Sequence, residues 1–344
     1  MAKVNIEGVA AALGLSTASV SYALNGRPGV SEATRKRVVD YAEKLGWQAN
    51  SSARALAGAK AESIGILLKR DPEMLGTEPY YMSLLAGVEK VLGPANQSLL
   101  LRVVDSESAD EAAAYRRWSS QRRVDGVILF DLLIDDPRPE LLESLGMPFV
   151  SQGTEANQIP GRTFIYDTER DVDLIVDHFQ SLGHSSILHL TGPLHFVHER
   201  NRRDAIASAT ANRGMSSLSI ECDYTMNGSA AETSRILESG GNVTAILTSN
   251  DVMAVGALDA LRQHRGPSVA LVSWDDSILC TMSRPRITAL SRFHEEQGSR
   301  MTRMILGLID GKADLDPFAR PSELAVRETS TAFEAAFRRV DHFT

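Results

Sequence analysis

From Ser63 onward, short apolar runs alternate with amphipathic stretches for about 260 residues, and this alternation constrains the fold more than any other feature. The runs Ile64–Leu68, Leu99–Val104, Val127–Phe130, Phe149–Gln152, Ile187–Leu190, Leu218–Glu221, Ala245–Leu247 and Val269–Val272 read as strands. Met82–Leu92, Asp171–Leu182, Val252–Arg262 and Met301–Ile309 read as helices. In the last of these, Met301, Met304, Ile305 and Leu308 recur with the spacing of one helix face. Strands joined through helices pair in parallel and are covered on both faces. The pattern is long enough for two such α/β units, and a cleft between two units is a common ligand site.

The first 60 residues are of another kind. They hold eight basic residues against four acidic ones, a net +4, whereas the remainder of the chain carries −12. A small basic head on an acidic body suggests that the head meets an anion. Three short helices can be read in it. Asn5 caps a first helix with Val9, Ala12 and Leu13 on one face, ended by Gly14. Ser16 caps a second with Val20, Ala23 and Leu24 inward, stopped at Asn25-Gly26. Ser31 caps a third with Val38, Ala42 and Leu45 inward and Gly46 as its stop. Only Leu13-Gly14-Leu15 separates the first two, a turn tight enough for a helix-turn-helix whose second helix enters the major groove. Its outward positions are Thr17, Ala18, Ser19 and Tyr22.

The run from Leu15 to Gly26, followed by Val30-Ser31-Glu32-Ala33-Thr34-Arg35, resembles the headpiece of the LacI/GalR (lactose-repressor) family of bacterial transcription factors. Asn50 to Gly58 resembles that family's hinge helix, which is too short to be stable alone. In the family the leucine matching Leu56 wedges into the minor groove and kinks the duplex, so the resemblance places Ala53 and Leu56 there. It implies base readout by Thr17, Ala18, Ser19 and Tyr22, and phosphate contacts from Asn5, Ser16, Ser21, Asn25, Ser31, Thr34 and Asn50. Two positions depart from the pattern. Tyr22 stands where the family usually has arginine, the common bidentate reader of guanine, so a different operator is expected. Ala49 replaces the usual proline before the hinge.

The body resembles the family too, through Arg123 to Leu129, Leu182-Gly183-His184, Thr191-Gly192-Pro193, Ala245 to Ala254, Val272 to Asp276 and Leu324 to Glu328. Such bodies are similar to periplasmic sugar-binding proteins, two Rossmann-like lobes joined by crossovers. The resemblance implies an effector held by Tyr80, Tyr81, Asp167, Arg200, Tyr224, Asn250 and Asp275. Carboxylates and amides suit vicinal hydroxyls, a guanidinium forks onto two oxygens, and aromatic faces pack on sugar or purine rings. Departures bear on the effector's identity: Asp167-Thr168 for an Asp-Asn opening, Asp171-Val172 for a small pair, Asp204-Ala205 for a glycine-aromatic pair, and Arg292 at a usually neutral position.

Other chemistries lack their residues. Two distant cysteines, Cys222 and Cys280, exclude a disulfide framework and cysteine-rich zinc modules. His184, His189, His195 and His198 match no zinc spacing. Phosphate-cradling glycine loops and the Gly-x-Ser-x-Gly elbow are absent. The carboxylate pairs Asp135-Asp136 and Asp275-Asp276 have no acid-base partner in sequence. No apolar run reaches the roughly 18–20 residues that span a bilayer, and no secretory signal is expected.

The expected organisation is an all-α helix-turn-helix headpiece (1–48), a hinge helix and linker (49–60), an α/β effector-binding and dimerisation body (61–330) and a short tail (331–344). Within the body, lobe 1 is expected at about 61–164 and 293–320, and lobe 2 at about 165–292 and 321–330. The expected function is that of a cytoplasmic, homodimeric repressor on a pseudo-palindromic double-stranded DNA operator, bound to the nucleoid when engaged. A small effector would control it, a sugar or else a nucleobase or nucleoside, with no catalytic residue, metal, cofactor or membrane partner. The alternatives are a soluble solute-binding protein whose head serves only for dimerisation, which the expected lack of an export signal and the groove-facing Thr17–Tyr22 helix disfavour, and a sugar- or nucleoside-processing enzyme.

Overall fold

Two groups of residues make most of their contacts internally: residues 1–63 with 113–125, and residues 64–112 with 126–344. The computed structural model describes residues 5–24, 28–45, 60–71, 76–104, 111–240, 242–312 and 316–331. The expected stops at Asn25-Gly26 and Gly46, the hinge residues Asn50, Ala53 and Leu56, and the tail beyond residue 331 therefore lie outside the described residues.

In the first group, α1 (Ile6–Leu13), α2 (Thr17–Leu24) and α3 (Glu32–Lys44) surround Val9, Ala10, Val20, Ala23 and Val38. The Asn5 side chain accepts from Gly8 N at 2.9 Å, Ser16 Oγ from Ser19 N at 3.0 Å, and Ser31 Oγ from Thr34 N at 3.2 Å. Each thereby satisfies an amide that a helix start leaves without a partner. Two arginines of α3 tie the bundle: Arg35 donates to Ala23 O at 3.1 Å and Arg37 to Leu13 O at 2.7 Å. The inward face of α1 includes Ala10 rather than Ala12, which is exposed, and Leu45 is exposed past the end of α3. In the same group Asp125 accepts from the amides of Ala61 and Glu62 at 2.6 and 2.7 Å.

The second group contains two sheets. The first has the order β2-β1-β3-β4-β5, with β1 (Ser63–Lys69), β2 (Ser98–Val104), β3 (Gly126–Leu129), β4 (Phe149–Gly153) and β5 (Thr163–Ile165). The second has the order β11-β10-β9-β8-β6-β7, with β6 (Ser186–Thr191), β7 (Ser216–Glu221), β8 (Ala245–Thr248), β9 (Ala270–Ser273), β10 (Thr288–Ser291) and β11 (Glu323–Ala325). The β1–β3, β3–β4 and β4–β5 pairs are parallel, as are those linking β7, β6, β8, β9 and β10, whereas β11 is antiparallel to β10. The connecting helices of this group are α4 (Pro79–Leu92), α6 (Arg138–Ser144), α7 (Thr168–Ser181), α8 (Val197–Asn212), α9 (Met226–Glu238), α10 (Asp251–Gln263), α11 (Ile278–Met282), α12 (His294–Ile309) and α13 (Glu328–Thr331), while α5 (Glu111–Ser120) falls mostly in the first group.

Three crossovers join the lobes: from β5 into α7, from β10 into α12, and from α12 back to β11. Helix α12 begins seven residues earlier than its apolar spacing suggests, because its first two turns bury polar and small residues against α4. A Cβ on Gly87 would lie 1.9 Å from Glu295 O, and one on Gly298 would lie 2.1 Å from Leu84 O, so only glycine permits this approach. The two faces of the second sheet each carry a core, one around Leu188, Ile246, Met253 and Leu258, the other around Val172, Ile175, Leu247 and Trp274.

Candidate functional site

On the headpiece, Thr17, Ala18 and Tyr22 are exposed on α2, and Ser19 and Ser21 are half-buried. Ser19 Oγ is 2.9 Å from Ser16 Oγ, and Thr34 Oγ1 is 2.9 Å from Ser31 Oγ. The proposed phosphate contacts Asn5, Ser16 and Ser31 therefore all sit at helix starts, where amides and helix dipole favour an anion. The Tyr22 ring lies beside Gly29, where a Cβ would come within 3.1 Å of it.

In the body, charged and aromatic side chains converge at the carboxyl ends of the strands, the usual ligand position in parallel α/β sheets. Arg70 follows β1, Asp131 follows β3, Asn250 follows β8, Asp275 follows β9 and Arg292 follows β10. With Glu78, Tyr80, Tyr81, Gln152, Tyr166, His198, Arg202, Tyr224, Ser249 and Asp251 they line a chamber of about 50 Å3 between the lobes.

The lobe 2 wall is built around Glu199, which is fully buried. It accepts from Gly192 N (2.9 Å), Ser249 Oγ (2.6 Å), Tyr224 Oη (2.9 Å) and Arg202 Nη1 (2.8 Å). Burial alone would raise its pKa, but Arg202 and His198 hold the carboxyl below the usual range. Tyr224 occupies its place because residue 192 has no side chain; a Cβ there would lie 2.1 Å from the ring. Asn250 caps α10, accepting from Met253 N at 2.7 Å.

The Asp171 and Arg292 departures lie together. Arg292 Nε is 3.8 Å from Asp171 and Nη1 is 3.4 Å from Asp275, all three side chains being buried. His294 Nε2 lies 3.2 Å from Asp275. Burial opposes ionisation of Asp275, yet His294 and then Arg292 pull its pKa down to about 2. Burial pushes Glu78 up to about 7, with Arg70 opposing. Asp251 is raised to about 6 by burial and by Asp275.

Of the seven residues expected to hold the effector, Tyr80, Tyr81, Tyr224, Asn250 and Asp275 line the chamber. Asp167 does not: its exposed carboxylate caps α7, accepting from Arg170 N at 3.0 Å. Arg200 is exposed and donates to Leu194 O at 3.1 Å; Arg202, one half-turn on, faces the chamber. Sequence reasoning also missed Arg70, Glu78 and Asp131, whose signal was position: charges just beyond a buried strand or at a helix start. The second member of each carboxylate pair serves structure, Asp136 meeting Arg138 at 2.6 Å and Asp276 meeting Arg327 at 2.8 Å. No group of three or more His, Cys, Asp or Glu among the described residues is arranged to hold a metal.

Residues 5–50 match the bacterial regulatory proteins of the lacI family, and residues 176–330 match the periplasmic binding protein-like domain. A LacI family transcriptional regulator from Bifidobacterium animalis subsp. lactis DSM 10140 is 31% identical, with a TM-score of 0.71 over 80% of this chain and 99% of its own. The chain belongs to the LacI family. It is a DNA-binding transcriptional regulator and not an enzyme. The Lac repressor dimer bound to operator and an anti-inducer is 25% identical, with a TM-score of 0.81 over 96% of this chain and 99% of that one. A complex of the transcriptional regulator CelR with cellobiose is 25% identical, with a TM-score of 0.71 over 95% and 100%. No helix among the described residues is long and apolar enough to cross a membrane.

Proposed function

We propose that this LacI-family regulator is a homodimeric, cytoplasmic repressor that binds a pseudo-palindromic operator and is controlled by a carbohydrate in the interlobe chamber. The observation that carries the reading is the chamber itself. Asn250, Asp275 and Arg202 offer an amide, a carboxylate and a guanidinium within one space walled by Tyr80, Tyr81 and Tyr224. Hydroxyls of a sugar can both donate to the carboxylates and accept from the guanidinium, and its apolar face packs on rings. The effector set becomes Tyr80, Tyr81, Arg202, Tyr224, Asn250 and Asp275.

On DNA, Thr17, Ala18, Ser19 and Tyr22 read base edges, and Ala53 and Leu56 of the hinge enter the minor groove. Asn5, Ser16, Ser21, Asn25, Ser31, Thr34 and Asn50 hold phosphates. One headpiece neutralises few phosphates, so two linked copies on one duplex gain affinity through effective concentration. A face for the second copy is supported by the exposed Met82, Ile278 and Met282; Met82 and Ile278 border one surface groove.

A mobility-shift titration on operator DNA selected from a random pool tests the coupling. The proposal expects at least one sugar to change operator affinity by about 5–150-fold, a coupling of roughly 1–3 kcal/mol. Operator affinity unchanged by every sugar that binds the protein would refute it.

A further inference from the structure

Arg70 sits at a junction. On one side is the 50 Å3 chamber; on the other is an outer cavity of about 340 Å3 whose lining includes Lys69, Leu133, His195 and Asp223. Arg70, Asp131 and Tyr224 line both. The guanidinium carbon of Arg70 lies 4.8 Å from the Phe196 ring centre, 5.4 Å from Tyr224 and 5.8 Å from Tyr81. Its Nη2 is 3.1 Å from Asp131, and its buried Nε, 3.9 Å from Glu78, has no hydrogen-bond partner. Ring faces of lobe 2 on which a sugar could stack are thus covered by a cation of lobe 1.

We propose that Arg70 is the specificity-determining residue of the effector cleft, a partition whose displacement joins the two compartments and so selects carbohydrates of two or more rings. The inference rests on the carbohydrate reading of the chamber. A space of 50 Å3 holds a few waters, whereas ligand pockets run to roughly 300–1,000 Å3. A single ring in the outer cavity meets neither Asn250 nor Asp275, which line only the chamber. A single ring in the chamber must expel the guanidinium from its rings and from Asp131, and then leaves the outer compartment unfilled. A two-ring ligand meets the same cost of displacement but fills both compartments and covers the Phe196 and Tyr224 faces it has exposed. Ligand length therefore decides whether the displacement is offset.

Isothermal titration calorimetry on the full chain tests this with hexoses and pentoses and their di- and trisaccharides. The proteins compared are the native chain, Arg70→Ala, and the charge-balanced Arg70→Gln/Asp131→Asn, which keeps the question open should the single variant fail to fold. The native chain is expected to prefer a disaccharide over its constituent monosaccharide. Either variant should narrow that preference by about 30-fold, about 2 kcal/mol at 1.4 kcal/mol per factor of ten, through a gain in monosaccharide affinity. A native chain that binds mono- and disaccharide equally, or a preference unchanged in a folded variant that still binds sugar, overturns the partition while leaving the carbohydrate reading intact. Absence of binding by every sugar overturns the carbohydrate reading, and the partition with it.

Discussion

Glu78→Gln isolates a carboxylate that the cleft holds at a cost. The Glu78 side chain is buried, with Oε2 lacking a hydrogen-bond partner and Arg70 Nε 3.9 Å away. Burial raises its pKa to about 7 from 4.5. A raised carboxyl binds more protons folded than unfolded between these two values, so stability falls as pH rises through that window. At 1.36 kcal/mol per unit, the cost reaches about 3 kcal/mol above pH 7 and vanishes below pH 4.5. An amide does not titrate. Urea denaturation of the native chain and the variant should therefore give a stability difference that is flat below pH 4.5. The difference should move in the variant's favour between pH 4.5 and 7 by about 3 kcal/mol, then level off. A difference independent of pH from 4 to 8 would show that Glu78 titrates as an exposed carboxyl does, and would contradict the burial that raises its pKa.

Gly192→Ala places a methyl inside the Tyr224 ring's space and should destabilise lobe 2 by about 1–3 kcal/mol; unchanged thermal unfolding would contradict the packing described. Asn250→Ala removes the α10 cap, for about 1 kcal/mol of stability. It should also weaken sugar binding by roughly 1–3 kcal/mol in calorimetry; stability lost with affinity intact would take Asn250 out of the effector set. Met282→Glu puts a charge on the proposed dimer face, where Met282 is 69% exposed, and should shift sedimentation toward monomer; an unchanged sedimentation profile would move the interface elsewhere.

The parallel architecture was legible because its central strands are short, continuous apolar runs, as in Ile64–Leu68 and Ala245–Leu247. Strands β5, β10 and β11 were missed. They are three or four residues long and lie at crossovers, where pairing is decided by distant neighbours such as Pro317, which accepts from Ile165 N at 2.7 Å. The motif reading chose Arg200, but Arg202 is the arginine that faces the chamber. Glu199, Arg202 and Ile206, spaced three and four residues apart, form the buried stripe, so helical periodicity could have chosen Arg202. The Asp171–Arg292 pair joins residues 121 positions apart across a crossover, and no local pattern could have disclosed it. Each looked like an isolated departure from the family; in the fold they are partners.

Selection of bound duplexes from a randomised pool, carried out with the full-length protein, tests the regulatory claim most directly. The account predicts enrichment of one pseudo-palindromic sequence, with Tyr22→Ala relaxing preference at the same position in both halves, at about 1–3 kcal/mol per lost base contact. Binding that depends only on salt concentration, with no sequence enriched, would contradict it.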